Sequence, residues 1–368
     1  MKRMMGLVCT NYTDGDFGLL TKDRPIASIP YGGRYRLVDF PLSNMVNSGI
    51  TTVGLITPHR YRSLLDHVGN GKEWALGRRV GGMFILPGSI YGMRNSNGKF
   101  LLRDLLGNHS FFERTARELV VISASSTVFN IDFRQVAEAH EKSGASITLL
   151  YKHMDDGASG KSPSLVCDDT NRVTAVNTGE TGAANVFMDT MIIDRELLLR
   201  FLDWYKNQSY LDLLDIIRED LEQIRVYGYA FDGYVRSITN ATDYMSASME
   251  LLNPQVIKEL FMGERQIHTK VQDAHPAKYG PNGSSRNAMI ATGCVIKGTI
   301  ENTIVFRGCT VEEGAVVRNS VLLPNTVLEE GVVLDRVICD KFSHISKGVT
   351  LTGTVERPLI VNLRETKK

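Results

Sequence analysis

Met4-Met5-Gly6-Leu7-Val8-Cys9, followed after a long loop by Asp39-Phe40-Pro41-Leu42-Ser43-Asn44-Met45-Val46-Asn47-Ser48-Gly49, decides how the first part of the chain folds. The first run is short and continuously apolar, the pattern of a strand buried on both faces. The second places Leu42, Met45 and Val46 on one face of a helix that Gly49 ends, and Ile50 to Thr57 reads as the next strand. Strand, loop, helix and strand in that order start a parallel α/β sheet. In such sheets the loop after the first strand holds phosphates, through glycines that let the backbone approach and a basic side chain that supplies charge. Here the loop reads Thr10-Asn11-Tyr12-Thr13-Asp14-Gly15-Asp16-Phe17-Gly18, with two glycines, two carboxylates and no Lys or Arg. Its charge opposes an anionic nucleotide.

Outward from this start, strand and helix patterns alternate. Leu64, Leu65 and Val68 mark a short helix ended by Gly69, and Phe111 to Glu118 leads as a helix into a buried strand at Leu119 to Ser123. Phe133, Val136, Ala137 and His140 share one helical face. Ser146 to Tyr151, Met191 to Ile193 and Val226 to Phe231 read as strands, and Leu197 to Tyr205, Leu211 to Ile224 and Asp243 to Leu252 as helices. Residues 1–258 are therefore expected to form a Rossmann-like domain, a mostly parallel sheet with helices on both faces. Residues 259–285 are polar, with Pro276 and Pro281, and read as a linker along the surface.

After the linker the period changes. Val311-Glu312-Glu313-Gly314-Ala315-Val316-Val317 is echoed by Leu328-Glu329-Glu330-Gly331-Val332-Val333-Leu334 and by Ile345-Ser346-Lys347-Gly348-Val349-Thr350-Leu351, a step of 17 residues each time. Ile290 to Ile296 reads as an earlier copy set off by a longer loop. Stacked coils of this kind bury a column of aliphatic side chains, so residues 286–368 are expected to form a left-handed parallel β-helix, with an irregular β-sandwich as the alternative. Val316, Val321, Leu322, Leu323, Val327 and Val333 exceed one inward column, so some should face outward as a partner surface.

Composition narrows the function classes. The chain has 368 residues, a hydrophobic fraction of 43%, a charged fraction of 23% and a net charge of +1, so no global field draws nucleic acid or an anionic membrane. No run reaches a membrane-spanning length and the start lacks a secretory leader pattern, so a cytoplasmic protein is expected. Cys9, Cys167, Cys294, Cys309 and Cys339 are scattered and odd in number, with no C-x-x-C pair; neither a disulfide framework nor a zinc site is expected.

The run Leu20-Thr21-Lys22, then Ile29-Pro30-Tyr31-Gly32-Gly33-Arg34-Tyr35-Arg36-Leu37-Val38-Asp39-Phe40-Pro41-Leu42-Ser43-Asn44, then Asn47-Ser48-Gly49, resembles the ADP-glucose pyrophosphorylase (glucose-1-phosphate adenylyltransferase) family. The resemblance extends through Pro276-Ala277-Lys278-Tyr279 and the coils, nearly the whole chain. It implies a nucleotidyltransferase domain followed by a left-handed β-helix. Catalytic members carry a Gly-Gly-x-Gly-x-Arg-Leu loop, which falls here on Asn11 to Phe17 and puts Asp16 at the arginine position. Their Lys-Pro pair falls on Ile26-Ala27, with Arg24-Pro25 the nearest substitute. Their two metal-binding aspartates fall on Ser126, within Ala124-Ser125-Ser126-Thr127, and on Ser237, within Gly233 to Asn240. Their Glu-Glu-Lys-Pro motif is missing near Val176-Asn177-Thr178-Gly179. A neutral hydroxyl cannot replace a carboxylate's charge on Mg²⁺.

The resemblance therefore points to the family's non-catalytic regulatory branch, the D-type subunit of bacterial glycogen biosynthesis. No catalytic residue, metal or cofactor is expected in this chain, and Mg²⁺ is expected only in a catalytic partner subunit. That partner makes ADP-glucose and pyrophosphate from ATP and glucose 1-phosphate, and the chain would tune it as a hetro-oligomer or act as a homo-oligomer. The alternatives are an active sugar-phosphate nucleotidyltransferase with altered metal ligands, and a β-helix acyltransferase using His344 as base. Between Arg34 and Arg79 lie Arg34, Arg36, Arg60, Arg62, Lys72, Arg78 and Arg79 against Asp39, Asp66 and Glu73. Arg34, Arg36, Arg78 and Arg79 are the candidate site for a phosphorylated sugar effector, since guanidinium groups bind phosphate bidentately; a solvated basic face or an ion-paired subunit contact is the other reading. His59, His67 and His109 show no metal-ligand spacing, and Gly69-Asn70-Gly71 with Trp74 reads as a tight turn beside a packed indole.

Overall fold

The strand Met4–Cys9 sits inside a nine-stranded sheet with neighbours on both sides, parallel to Thr52–Thr57 and to Leu119–Ala124. Its side chains alternate between two buried layers: Met5, Leu7 and Cys9 on one face, Met4 and Val8 on the other. That two-sided burial is why the run carries no polar residue. Gly6 is required by close approach, because a Cβ there would lie 2.4 Å from Met45 Sδ in the helix Asp39–Asn47. This is a computed structural model describing residues 3–12, 16–89, 98–155, 162–178, 184–208 and 210–362.

The sheet runs Val173–Asn177, Ser164–Cys167, Ala184–Asp194, Leu119–Ala124, Met4–Cys9, Thr52–Thr57, Gly82–Pro87, with Ile147–Met154 and Val226–Ala230 attached beside Ala184–Asp194. The expected parallel centre is present, and Ala184–Asp194 joins it antiparallel to Leu119–Ala124 and Ile147–Met154. Helices are begun by side-chain caps that the sequence supplies. Asp132 accepts from Arg134 N at 2.9 Å and Asn240 from Asp243 N at 2.8 Å. Asn253-Pro254 ends one helix and opens another, Pro254–Phe261, with Asn253 as its cap and proline in the first turn. That helix takes the first residues of the stretch expected as linker, and coil pairing starts at Lys278–Tyr279. In between, the chain is tied to the first domain: His268 N donates to Ser43 Oγ at 2.8 Å, and Asn130 Nδ2 donates to the carbonyls of Leu260 and Arg265.

The second domain is a parallel β-helix of three-sided coils. Val295, Thr310, Val327 and His344 lie side by side on consecutive coils, steps of 15, 17 and 17 residues. The corners repeat with the same steps. Asn287, Asn302, Asn319 and Arg336 all have positive φ, as do Gly293, Gly308, Asn325 and Phe342 at a second corner. Gly314, Gly331 and Gly348 form the third. Ile296, Val311, Leu328 and Ile345 stack inward, fully buried, as do Ile300, Val317 and Leu334. The copy expected at Ile290 to Ile296 has a different register: Ile290 pairs with Val305, and Gly293 lies against Gly308, 15 residues on. Glycine serves the second corner in two coils, at Gly293 and Gly308, and the third corner at Gly314, Gly331 and Gly348, so one local pattern fits two faces.

The outward apolar residues divide, and for two of them the expectation is corrected. Val321 and Leu323 do turn away from the coil interior, but the chain's own first domain covers them. Together with Ile304, Phe306 and Ile338 they belong to the same buried cluster as Phe17, Leu20 and Tyr244. Val316, Val327 and Val333 are half-buried.

Candidate functional site

Loops that follow parallel strands gather at the strands' C-terminal ends, and Ser126 is reached by such a loop. Ser126 follows the strand Leu119–Ala124. Ser237 belongs to a two-residue strand, Arg236–Ser237, that pairs antiparallel with Thr127–Val128. Ser237 stands opposite Thr127, and Ile238 N donates to the Ser126 carbonyl at 2.8 Å. The two serines are therefore neighbours, as the two aligned positions require. Ser237 Oγ is buried without a hydrogen-bond partner among the described residues.

A lysine reaches the first of these serines. Lys99 Nζ donates to Ser126 Oγ at 3.2 Å and to Asp189 Oδ2 at 2.7 Å, and the same carboxylate oxygen accepts from Thr127 Oγ1 at 3.0 Å. Both charged side chains are close to buried, 12% and 9% exposed, so the pair works in a low-dielectric setting. The ammonium also lies 5.8 Å from the centroid of the Tyr12 ring. Tyr12 stands at the second glycine position of the loop motif, and its hydroxyl bonds Ser125 Oγ and Ser125 N, each at 2.9 Å. Asp189 has φ of 50°, within a register shift of Ala184–Asp194 between Phe187 and Met191. Burial pushes the neighbouring Asp212 carboxyl up to about 6, against the N–H groups of Leu214 and Phe100 that donate to it.

Asp16, expected at the arginine position, is exposed and uses its carboxylate on its own turn, accepting from Gly18 N at 2.8 Å. Its carbonyl accepts from Ala241 N at 3.1 Å, which lays the loop against the segment after Ser237. Thr13, Asp14, Gly15 and Gly179 lie outside the described residues.

The candidate arginines divide. Arg34 is exposed, its guanidinium 5.0 Å from the Tyr35 ring centroid, and its carbonyl accepts from Arg307 Nη2 at 3.1 Å. Arg36 is half-buried, donates to Ser63 Oγ at 3.2 Å, and is pushed down to about 10 by burial, against the pull of Asp39 and helped by Arg24 and Arg307. Lys341, from the coils, is pushed down to about 7 by burial and by Arg36, Arg24 and Arg307, with Asp340 opposing. Arg24 is no substitute for the missing lysine: it is buried in an ion pair with Asp340, and its Nη1 has no hydrogen-bond partner among the described residues. Four cations thus converge on the seam between the domains. Arg78 and Arg79 are exposed in the loop before Gly82–Pro87, where Arg78 Nε donates to the Ala75 carbonyl at 2.6 Å. No contact described joins them to the seam. No spacing in the sequence links Lys99, Asp189, Arg307 and Lys341 to these sites, because the residues lie so far apart along the chain.

The family model for nucleotidyl transferases matches residues 19–174, and that for the GlmU-like C-terminal hexapeptide matches residues 273–356. The glycogen biosynthesis protein GlgD of Bacillus subtilis is 31% identical over 360 residues, 98% of this chain and 95% of that protein. The protein of the same name from Geobacillus stearothermophilus is 36% identical over 362 residues, covering 98% and 96%. The chain belongs to the GlgD family. It is also similar to the glucose-1-phosphate adenylyltransferase of Fervidobacterium nodosum, 27% identical over 355 residues, 95% of this chain and 85% of that enzyme.

Other features of this GlgD-family chain have local roles. His67 Nε2 bonds Asp39 Oδ1 at 2.6 Å and meets the buried Trp74 edge-on, beside the turn made by Gly69 and Gly71. His344 Nε2 bonds Glu329 Oε1 at 2.7 Å across two coils. Among the described residues no group of three or more His, Cys, Asp or Glu is arranged to hold a metal, and no helix is long and apolar enough to cross a membrane.

Proposed function

We propose that this chain serves glycogen biosynthesis as a catalytically degenerate, regulatory subunit of ADP-glucose pyrophosphorylase in the cytoplasm. The observation that carries the reading is that the backbone sets Ser126 and Ser237 side by side, two hydroxyl residues at the positions where the resembling transferases have carboxylates for Mg²⁺. Positioned Mg²⁺ contributes several kcal/mol to phosphoryl-transfer transition states, hence orders of magnitude in rate. The chain would act on a catalytic partner subunit in a hetero-oligomer, shifting that partner's activity and effector response through subunit contacts. The purified chain, assayed for pyrophosphate release with ATP and glucose 1-phosphate, should be inactive; mixing with a catalytic subunit should change that subunit's rate. Turnover by the chain alone at typical enzyme rates, on the order of 1–10³ per second, would overturn the reading.

The effector of that assembly would be a phosphorylated sugar held at the seam by Arg36, Arg24, Arg307 and Lys341, with Arg34 exposed beside them. A half-buried cluster of cations with an orphaned guanidinium nitrogen is incompletely compensated by Asp39, Asp66 and Asp340, and a phosphate dianion would complete it. Alanine at Arg36 or Arg307 should weaken the effector response of the mixed enzyme about tenfold or more. Alanine at Arg78 or Arg79 tests the wider arginine set; a loss there equal to that at Arg36 would relocate the site.

A further inference from the structure

We infer that the Lys99 ammonium is the resident cation of the pocket at Ser126 and Ser237, a tethered replacement that makes the pocket unfit for a divalent ion. The inference rests on reading those serines as former metal positions. Three observations carry it. Lys99 Nζ reaches Ser126 Oγ, one of the two positions at issue, at 3.2 Å. Its counter-charge is Asp189, whose carboxylate also takes the Thr127 hydroxyl, so the ammonium has its own oxygen shell of Ser126 and Asp189. And Asp189 occupies a left-handed backbone position that a side-chain-bearing residue adopts only at a cost, within a break in strand pairing. This left-handed residue places its carboxylate on the nearly buried lysine.

The chemistry follows from charge. A divalent ion needs several oxygen ligands with net negative charge, and here one carboxylate is already matched by one ammonium. Restoring carboxylates at positions 126 and 237 would therefore not restore a metal site, because Lys99 would pair with the new charge at position 126 and repel the incoming ion. The hydroxyls at 126 and 237 and the ammonium of Lys99 thus act in the same direction, against a divalent ion.

The test measures Mn²⁺ binding, as a probe for Mg²⁺, to the full chain by electron paramagnetic resonance titration, with no activity readout. The variants are Ser126→Asp/Ser237→Asp, the same pair with Lys99→Met, and the same pair with Lys99→Met/Asp189→Gly. The last removes both members of the ion pair and relieves the left-handed residue, so it stays folded if Lys99→Met alone leaves Asp189 unpaired and unfolds the chain. Expected is little Mn²⁺ binding by the wild type and the serine-to-aspartate pair, and binding about tenfold tighter or more once Lys99 is gone. Equal affinity with and without Lys99 would overturn the inference, as would saturable Mn²⁺ binding by the wild type that Ser126→Ala removes. Either result leaves the regulatory reading to its own assay of pyrophosphate release.

Discussion

Arg24 and Asp340 are 316 residues apart and share a buried ion pair, with Asn362 Nδ2 on the second carboxylate oxygen at 3.0 Å. Removing one partner of a buried pair strands the other charge, so Asp340→Ala should destabilise the chain by about 3–5 kcal/mol in urea denaturation. Replacing both by apolar residues of similar volume should cost much less. Lys341 gives a prediction in pH. Its folded value of about 7 lies below the ordinary lysine value, so between the two the unfolded chain binds more protons. Its contribution to stability therefore rises with pH from about 7 to about 10, and the penalty is fully present below 7. Lys341→Met should flatten that part of the stability profile. A phosphate at the seam would favour the charged lysine, so effector binding should take up a proton near pH 8. At this scale the serines at 126 and 237 were legible in the sequence because a motif surrounds each. Lys99 was not, since its partners come from three separate segments that only the fold unites.

The coils show what an element asks of its residues. Each corner turns on one left-handed residue, and Gly331 at φ 68° has nothing within 4 Å of where a Cβ would stand. Substitution there is penalised by backbone conformation alone. Gly331→Val should cost about 1–2 kcal/mol and Gly331→Asn distinctly less, read as a shift in thermal midpoint. Asn already serves four such corners, at 287, 302, 319 and 325. The 17-residue step was legible because Glu-Glu-Gly recurs at one corner only; the register of Ile290 to Ile296 was not, because Gly293 copies another corner's chemistry. In the first domain, the strands buried on both faces announced themselves as apolar runs. Ser164–Cys167 and Val173–Asn177, at the sheet's edge, carry exposed Val166 and Thr174 among buried residues and gave no such run. The strand Ala184–Asp194 was visible only at Met191 to Ile193, since its break at Asp189 interrupts the pattern.

Across the whole molecule, one buried cluster includes residues of both domains, so they should unfold together. Calorimetry of the full chain should show a single transition, and Leu323→Ala should lower it by the equivalent of about 2–5 kcal/mol. Cutting the chain before Arg286 removes Ile304, Phe306, Val321, Leu323 and Ile338 from that cluster. The remaining first domain should bind a hydrophobic dye and aggregate; a truncated form that is monomeric and dye-silent would show that the shared core is dispensable. For the same reason, loss of regulation on truncation would not locate a subunit contact in the coils. The seam has a further consequence for synthesis. The side chain of Ile360, in the strand Leu359–Val361, lies 3.2 Å from where Gly18 would carry a Cβ, and Thr242 Oγ1 donates to the Glu356 carbonyl at 2.8 Å. A ribosome delivers Ile360 long after Gly18, so the loop after the first strand waits through the synthesis of both domains for its neighbour. The nascent first domain should therefore leave the tunnel with this part of its core uncovered until the coils follow.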